Sequence, residues 1–257
     1  MTTALILLAY NEEAGIQLHL DTIQALGVAH LRIIVVNDGS TDRTGAILAE
    51  LSRRLPLEIL SHPVNRGVAA AFKTGLRHAA ATLAPSDFII TMEADATNDV
   101  RVLPPMLAHL EAGYDVVCAS RYRPGGGYEG FPFRRRLLSV CANHIARGYC
   151  RVPSVTDYTF FYRGYRAALL QDAFRRYGDR FIETRGFAAN VEMLVKLRRL
   201  QPLRATETPA LYRYGLKRSR STLAIGKTLV EYLQFFLRDT LHPLQPLPKH
   251  SWRTAAE

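Results

Sequence analysis

The chain has 257 residues and a formal net charge of +10 at pH 7. That length accommodates one large α/β domain with a substantial core and does not require two. The positive balance points to an anionic partner: a nucleotide, a nucleic acid or an acidic membrane surface. Cys118, Cys141 and Cys150 have no metal-ligand spacing, and their odd number and apolar neighbours fit reduced, cytosolic thiols better than a disulfide framework. Ala4 to Tyr10 is too short for a signal core and acids follow it; no apolar run has spanning length.

Ala4 to Tyr10 reads as a buried first strand, and Asn11-Glu12-Glu13 ends it and opens a helix to about Leu26. Leu31 to Val36 is a second strand. It stops at Asn37-Asp38-Gly39-Ser40-Thr41-Asp42, a turn that also caps a helix near Thr44 to Arg54. A short third strand spans Leu57 to Ser61. Asn65-Arg66-Gly67 precedes a helix over Val68 to Ala81, where Gly67, Ala71 and Gly75 recur every four residues and give one face that allows close packing.

The next strand organises the rest. Phe88-Ile89-Ile90-Thr91-Met92 is apolar and β-branched, and it runs directly into Glu93-Ala94-Asp95. Alternate residues of an extended segment point the same way, so both carboxylates can face one spot beyond the strand end. Two convergent oxygens suit a hard divalent ion that takes its other ligands from water and a diphosphate. A helix follows over Val102 to Glu111, then a strand over Asp115 to Ser120. This alternation predicts a doubly wound, mostly parallel α/β sheet.

After Arg121 the character changes. Pro124 to Tyr128 is a glycine-rich loop, and Phe131-Pro132-Phe133-Arg134-Arg135-Arg136 alternates aromatic bulk with positive charge. Leu137 to Cys150 is an amphipathic helix, Val155 to Arg163 a strand-like aromatic segment, and two helices follow near Tyr165 to Tyr177 and Phe187 to Leu200. Arg204 to Tyr214 is extended, Lys217 to Ser221 is a basic loop, and Thr222 to Leu241 is a final amphipathic helix. Residues 243–257 read as a loose tail. Residues 1–222 form the catalytic-type domain in this reading, and 223–257 the C-terminal helix and tail.

No Gly-x-x-x-x-Gly-Lys-Ser/Thr loop exists and no Gly-x-Gly-x-x-Gly follows the first strand, which argues against P-loop hydrolases and dinucleotide-binding enzymes. Acids gathered at strand ends argue against nucleic acid, whose phosphates need basic grooves. Each cluster also has a plain structural reading. Asp38 can cap a helix, Arg134 to Arg136 can be a solvated charge run, Asp157 and Arg163 can form an internal ion pair, and Glu192 can serve packing. His62, His78, His109 and His144 lack ligand spacing.

The ordered set Tyr10-Asn11-Glu12, Val36 to Asp42, Asn65-Arg66-Gly67 and Glu93-Ala94-Asp95 resembles family 2 inverting glycosyltransferases of the GT-A fold. More narrowly it is similar to the dolichol-phosphate mannosyltransferase and polyprenyl-phosphate glycosyltransferase group, a likeness extended by Ser120-Arg121-Tyr122, Arg135 with Asn143 and Arg147, Asp157 to Arg163, Val191-Glu192-Met193 and Glu207-Thr208-Pro209. The resemblance implies transfer of one sugar from a GDP- or UDP-sugar to a polyprenyl phosphate. It implies that Tyr10, Glu12 and Asp38 hold the nucleoside, that Glu93 and Asp95 hold Mg²⁺ or Mn²⁺ on the donor diphosphate, and that Arg121, Arg135, Arg163 and Ser221 bind the acceptor. Asp95, Arg121 and Arg135 carry the catalytic burden in this reading. A phosphate acceptor needs positioning; a hydroxyl acceptor would need a base, and Asp157 or Glu192 could serve. The implied location is peripheral, on the cytoplasmic face of a membrane, and a homo-oligomer or membrane partner subunit stays open. The chain departs from the pattern at Leu8 (usually proline), Glu93 (usually aspartate), Thr97 (often glutamine), and Ser219 and Thr222 (usually glycine and lysine).

Overall fold

The computed structural model describes residues 1–217 and 225–248. A seven-stranded sheet forms its centre, in the order β3-β2-β1-β4-β7-β5-β8. Strands β1 (Thr3–Ala9), β2 (Leu31–Asn37), β3 (Leu57–Ser61) and β4 (Phe88–Glu93) run parallel, as do β5 (Val116–Ser120) and β8 (Ala205–Pro209). Only β7 (Arg163–Arg166) is antiparallel to its neighbours.

The continuous apolar runs of β1, β2 and β4 follow from burial on both faces. Alternation then sorts side chains between two cores. Ala4, Ile6, Leu8, Ile34 and Val36 pack into one cluster, with α3 (Val68–Thr82), α6 (Ala167–Tyr177) and α7 (Ala189–Leu200). Leu5, Leu7, Ala9, Ile33 and Val35 pack into the other, with α1 (Ile16–Ala25), α2 (Thr44–Leu51) and α4 (Leu103–Glu111). The small-residue face of α3 does lie against the sheet. A Cβ at Gly75 would come within 2.6 Å of Ile6 Cγ2 and 3.0 Å of Val36 Cγ2, so the helix sits at a distance only glycine permits.

Helix α1 begins later than its sequence pattern suggests, because residues 11–15 form a loop bound to the turn after β2. Asn11 takes φ 55°, and its Oδ1 accepts from Thr41 N at 2.8 Å, while Glu12 N donates to Thr44 Oγ1 at 2.7 Å. Helix α5 (Phe133–Cys150) begins four residues earlier than the periodicity predicts and carries the Arg134–Arg136 run in its first turn. Strand β6 (Gly127–Glu129) pairs with β9 (Leu211–Arg213), so the glycine-rich loop is tied to the second half of the chain. The aromatic stretch from Val155 to Tyr162 is irregular, with only Arg163 onward joining the sheet.

The last helix, α8 (Ile225–Leu241), packs on α5 and seats Tyr232 and Phe235 in the first core. The chain beyond it is anchored as far as described: Leu247 N donates to Arg176 O at 3.1 Å, and Arg176 Nε donates to Leu247 O at 2.7 Å. No helix among the described residues is long and apolar enough to cross a membrane.

Candidate active site

Parallel strands leave their carboxyl ends on one edge, and the register aligns them there. Leu8 of β1 is level with Glu93 of β4, and Ala9 is level with Asn37 of β2, so Tyr10, Asp38, Glu93 and Asp95 emerge side by side. They line one cavity of about 270 Å³ together with Glu12, Asn65, Gly67, Arg185, Lys217, Lys227 and Glu231. A second cavity of about 160 Å³ adjoins it, lined by Arg121, Arg135, Phe131, Phe160, Phe161, Tyr212, Tyr214 and Tyr232 among others. Glu93, Phe187, Lys217 and Thr228 line both.

In the first cavity, Asp38 is fixed from several sides. Its Oδ1 meets His62 Nδ1 at 2.6 Å and accepts from Arg66 N at 3.0 Å; its Oδ2 accepts from Gly67 N at 2.8 Å. His62 Nε2 meets Thr74 Oγ1 at 2.9 Å, so a histidine with no motif to mark it anchors Asp38 to α3. Gly39 is a positional requirement: it takes φ +64°, and a Cβ would fall 2.2 Å from Val64 C. The turn after β2 and the Asn65-Arg66-Gly67 loop thus close on each other around the Asp38 carboxylate.

Asp95 is 4% exposed, and Ala96 beside it takes φ 60°. Its Oδ1 accepts from Thr97 N at 3.1 Å and Thr97 Oγ1 at 2.6 Å, which turns Oδ2 outward to the Lys217 ammonium. Burial first, then the charges of Asp95 and Glu12, push the Glu93 carboxyl up to about 7. The cluster of Glu12, Glu93 and Asp95 calls for a cation, and Lys217 stands in for one on Asp95. That donor set fits a hard divalent ion held by two carboxylates that completes its shell with water and diphosphate oxygens. No group of three or more His, Cys, Asp or Glu among the described residues is placed to hold a metal.

In the second cavity, Arg121 is 9% exposed and its guanidinium lies 4.7 Å from the Phe160 ring centroid and 5.0 Å from that of Tyr128. Asp157 holds it through Nε–Oδ2 at 2.7 Å and Nη2–Oδ1 at 2.8 Å. Burial opposes the charge on Arg121, but Asp157 outweighs it and holds the guanidinium above its ordinary pKa. Asp157 is placed in turn by buried Glu207, whose Oε1 accepts from Asp157 N at 2.7 Å and Thr156 N at 2.6 Å. Arg135 Nη1 donates to Tyr214 Oη at 3.1 Å at the cavity wall.

Not every expected residue arrives. Arg163, expected at the acceptor, is fully buried, and its guanidinium donates to the carbonyls of Asn190 at 2.7 Å and Tyr158 at 2.7 Å. It braces the irregular aromatic stretch rather than facing substrate, and Asp157 pairs with Arg121 instead of with it. Ser221, with Arg218 and Arg220, lies outside the described residues. Glu192 is fully buried, accepting from Thr184 N at 2.9 Å and Lys196 Nζ at 2.6 Å, a packing role. Lys217, Lys227 and Glu231 were not singled out by any motif. The i, i+4 spacing of Lys227 and Glu231 on an amphipathic helix was the one available hint.

A doubly wound sheet whose central strand ends in paired acids, opening on two joined cavities, defines a GT-A glycosyltransferase domain. The family model for glycosyl transferase family 2 matches residues 4–174, and the chain belongs to that family. It is 28% identical over 241 residues to a dolichol-phosphate mannosyltransferase of Pyrococcus furiosus, covering 93% of this chain and 63% of that one. It is 33% identical over 175 residues to a polyprenol monophosphomannose synthase of Mycolicibacterium smegmatis, covering 66% and 63%. The matches thus span less than two thirds of those relatives' length. Among solved structures, glucosyl-3-phosphoglycerate synthase from Mycobacterium tuberculosis, in complex with Mn²⁺, UDP and phosphoglyceric acid, superposes with a TM-score of 0.64 at 18% identity over 97% of this chain and 80% of that one, a likeness of fold.

Proposed function

We propose that the protein transfers one sugar from a nucleotide sugar, GDP-mannose or a UDP-hexose, to a polyprenyl phosphate at a membrane surface, with inversion at the anomeric carbon and with Mg²⁺ or Mn²⁺. The observation that carries this reading is the junction of an acid-lined cavity with an aromatic cavity holding two arginines. The names of the two relatives point the same way.

In this reading Tyr10, Glu12 and Asp38 hold the nucleoside, and Glu93 and Asp95 hold the divalent ion. That ion would stabilise the charge of the departing nucleoside diphosphate. Arg121 and Arg135 bind the acceptor phosphate, and the surrounding rings receive the first isoprene units. Asp157 fixes one edge of Arg121, so its charge is pre-aimed instead of ordered at each encounter. An acceptor phosphate oxygen attacks the anomeric carbon, the bond to the donor phosphate breaks, and its electron pair leaves with the nucleoside diphosphate. A hydroxyl acceptor would require a base, but Asp157 is committed to Arg121 and Glu192 to Lys196. A phosphate monoester, already ionised, needs neither, which favours it over a hydroxyl.

Membrane contact is supported by exposed apolar stripes on the two packed helices: Phe133, Leu137 and Ile145 on α5, and Val230, Leu233, Leu237 and Leu241 on α8. With Arg134 and Arg136 nearby they suit a peripheral seat at an anionic surface, the cytoplasmic face in this reading. The test is a panel of labelled nucleotide sugars with a short polyprenyl phosphate, with and without EDTA. Label should enter the organic phase for one donor, stop in EDTA, and vanish in Asp95→Ala. Undiminished transfer in EDTA or in that variant contradicts the metal assignment.

A further inference from the structure

Among the described residues, Lys217 lines both cavities and touches Asp95 of the carboxylate cluster. Its side chain is 14% exposed, and its ammonium rests on Asp95 Oδ2. The placement is built into the fold. Lys217 follows a 3₁₀ turn, Tyr214–Leu216, and its N donates to Tyr214 O at 3.0 Å. The strand before that turn is fastened to the loop that carries Asp95: Arg213 N donates to Thr97 O at 2.9 Å, and its guanidinium lies 3.5 Å from Asp99 Oδ2.

Thr97 donates twice to Oδ1 of Asp95, so Oδ2 is the oxygen turned toward a cation, and Asp95 would offer it to a divalent ion. A divalent ion on that atom and an ammonium on the same atom would repel at short range. We propose that Lys217 is the resident counter-ion of Asp95: it holds that carboxylate while the donor is absent, competes with the divalent ion for Oδ2, and gives way when a diphosphate arrives to take its ammonium. The inference rests on the metal reading above and adds an order to it. The metal binds well only with the nucleotide, and Asp95 keeps a positive partner without it. Because Lys217 also lines the acceptor cavity, the displaced ammonium stays between the two phosphates that the reaction brings together.

The test is direct Mn²⁺ binding, followed by electron paramagnetic resonance of free Mn²⁺, on the full chain without nucleotide and then with GDP or UDP. Without nucleotide, Lys217→Met should bind Mn²⁺ about tenfold tighter than the unaltered protein, within the range of ordinary site-to-site coupling. Lys217→Arg, which keeps the charge, should resemble the unaltered protein, and adding Asp95→Asn to Lys217→Met should abolish the gain. One of the two nucleotides should tighten Mn²⁺ binding strongly in the unaltered protein and far less in Lys217→Met. If Lys217→Met and the unaltered protein agree within about twofold while Asp95→Asn still removes Mn²⁺, the metal site stands and the role of Lys217 falls. If no form binds Mn²⁺ with or without either nucleotide, the metal reading and this inference fall together.

Discussion

Asp157 grips Arg121 along one edge of its guanidinium, with Nε–Oδ2 at 2.7 Å and Nη2–Oδ1 at 2.8 Å, and both side chains are nearly sealed from solvent. Arg121 lines the aromatic cavity, and Asp157 holds it there from behind the wall. Removing one partner of such a pair strands the other charge, which typically costs ~3–5 kcal/mol. Asp157→Asn should therefore unfold at clearly lower urea concentration, whatever its activity. Arg121→Lys keeps the charge but loses the fork. It should raise the apparent acceptor constant about tenfold, on the order of 1.4 kcal/mol, and leave donor affinity unchanged by calorimetry. A shift in donor affinity without one in the acceptor constant would assign Arg121 to the other substrate.

Glu93 makes stability depend on pH in a definite direction. Its folded-state pKa is about 7 against an ordinary value of 4.5, so between those values the folded protein binds more protons than the unfolded chain. Stability from this group is complete below about 4.5 and is lost as pH rises through 7. Glu93→Gln removes the penalty. In EDTA its Tm at pH 8 should exceed that of the unaltered protein, by about 2–4 °C for each kcal/mol relieved. At pH 4.5 the two should agree. An equal difference at both pH values would mean that Glu93 is not the group responsible.

Much of this site was legible because strand ends are marked locally. A strand reads as an apolar run, and the polar residue that stops it is the one the sheet presents at its edge, which brought Tyr10, Asp38, Glu93 and Asp95 forward together. Arg163 was misjudged because sequence cannot tell an arginine at a cavity wall from one spent on backbone carbonyls; it begins β7, the strand that runs against its neighbours. His62 and Lys217 carry no motif, and only the closure of distant loops gives them partners. Helix α8 was readable as amphipathic but not as two-sided. It seats Tyr232 and Phe235 in the core and turns Lys227 and Glu231 to the donor cavity, while leucines remain outside.

That two-sidedness decides how membrane contact should be tested. Deleting α8 would strip the core and the donor cavity along with the exposed stripe. The double substitution Leu233→Asp and Leu237→Asp alters only outward positions. The unaltered protein should sediment with anionic vesicles at low salt and be released at high salt, since each basic residue near the surface contributes about 1 kcal/mol and the attraction fades beyond a Debye length. The double variant should stay in the supernatant with its Tm unchanged. Equal sedimentation of both would place the contact elsewhere.

The central claim is that the acceptor is a lipid phosphate, and the most direct measurement is the identity of the glycosylated product. With the preferred nucleotide sugar, the protein is offered a polyprenyl phosphate, the matching polyprenol and phosphoglyceric acid in equal amounts, and products are identified by mass spectrometry. Sugar attached through the phosphate of the polyprenyl phosphate, with the polyprenol and phosphoglyceric acid unmodified, is the predicted result. Transfer to the polyprenol hydroxyl or to phosphoglyceric acid in preference to the lipid phosphate would contradict it.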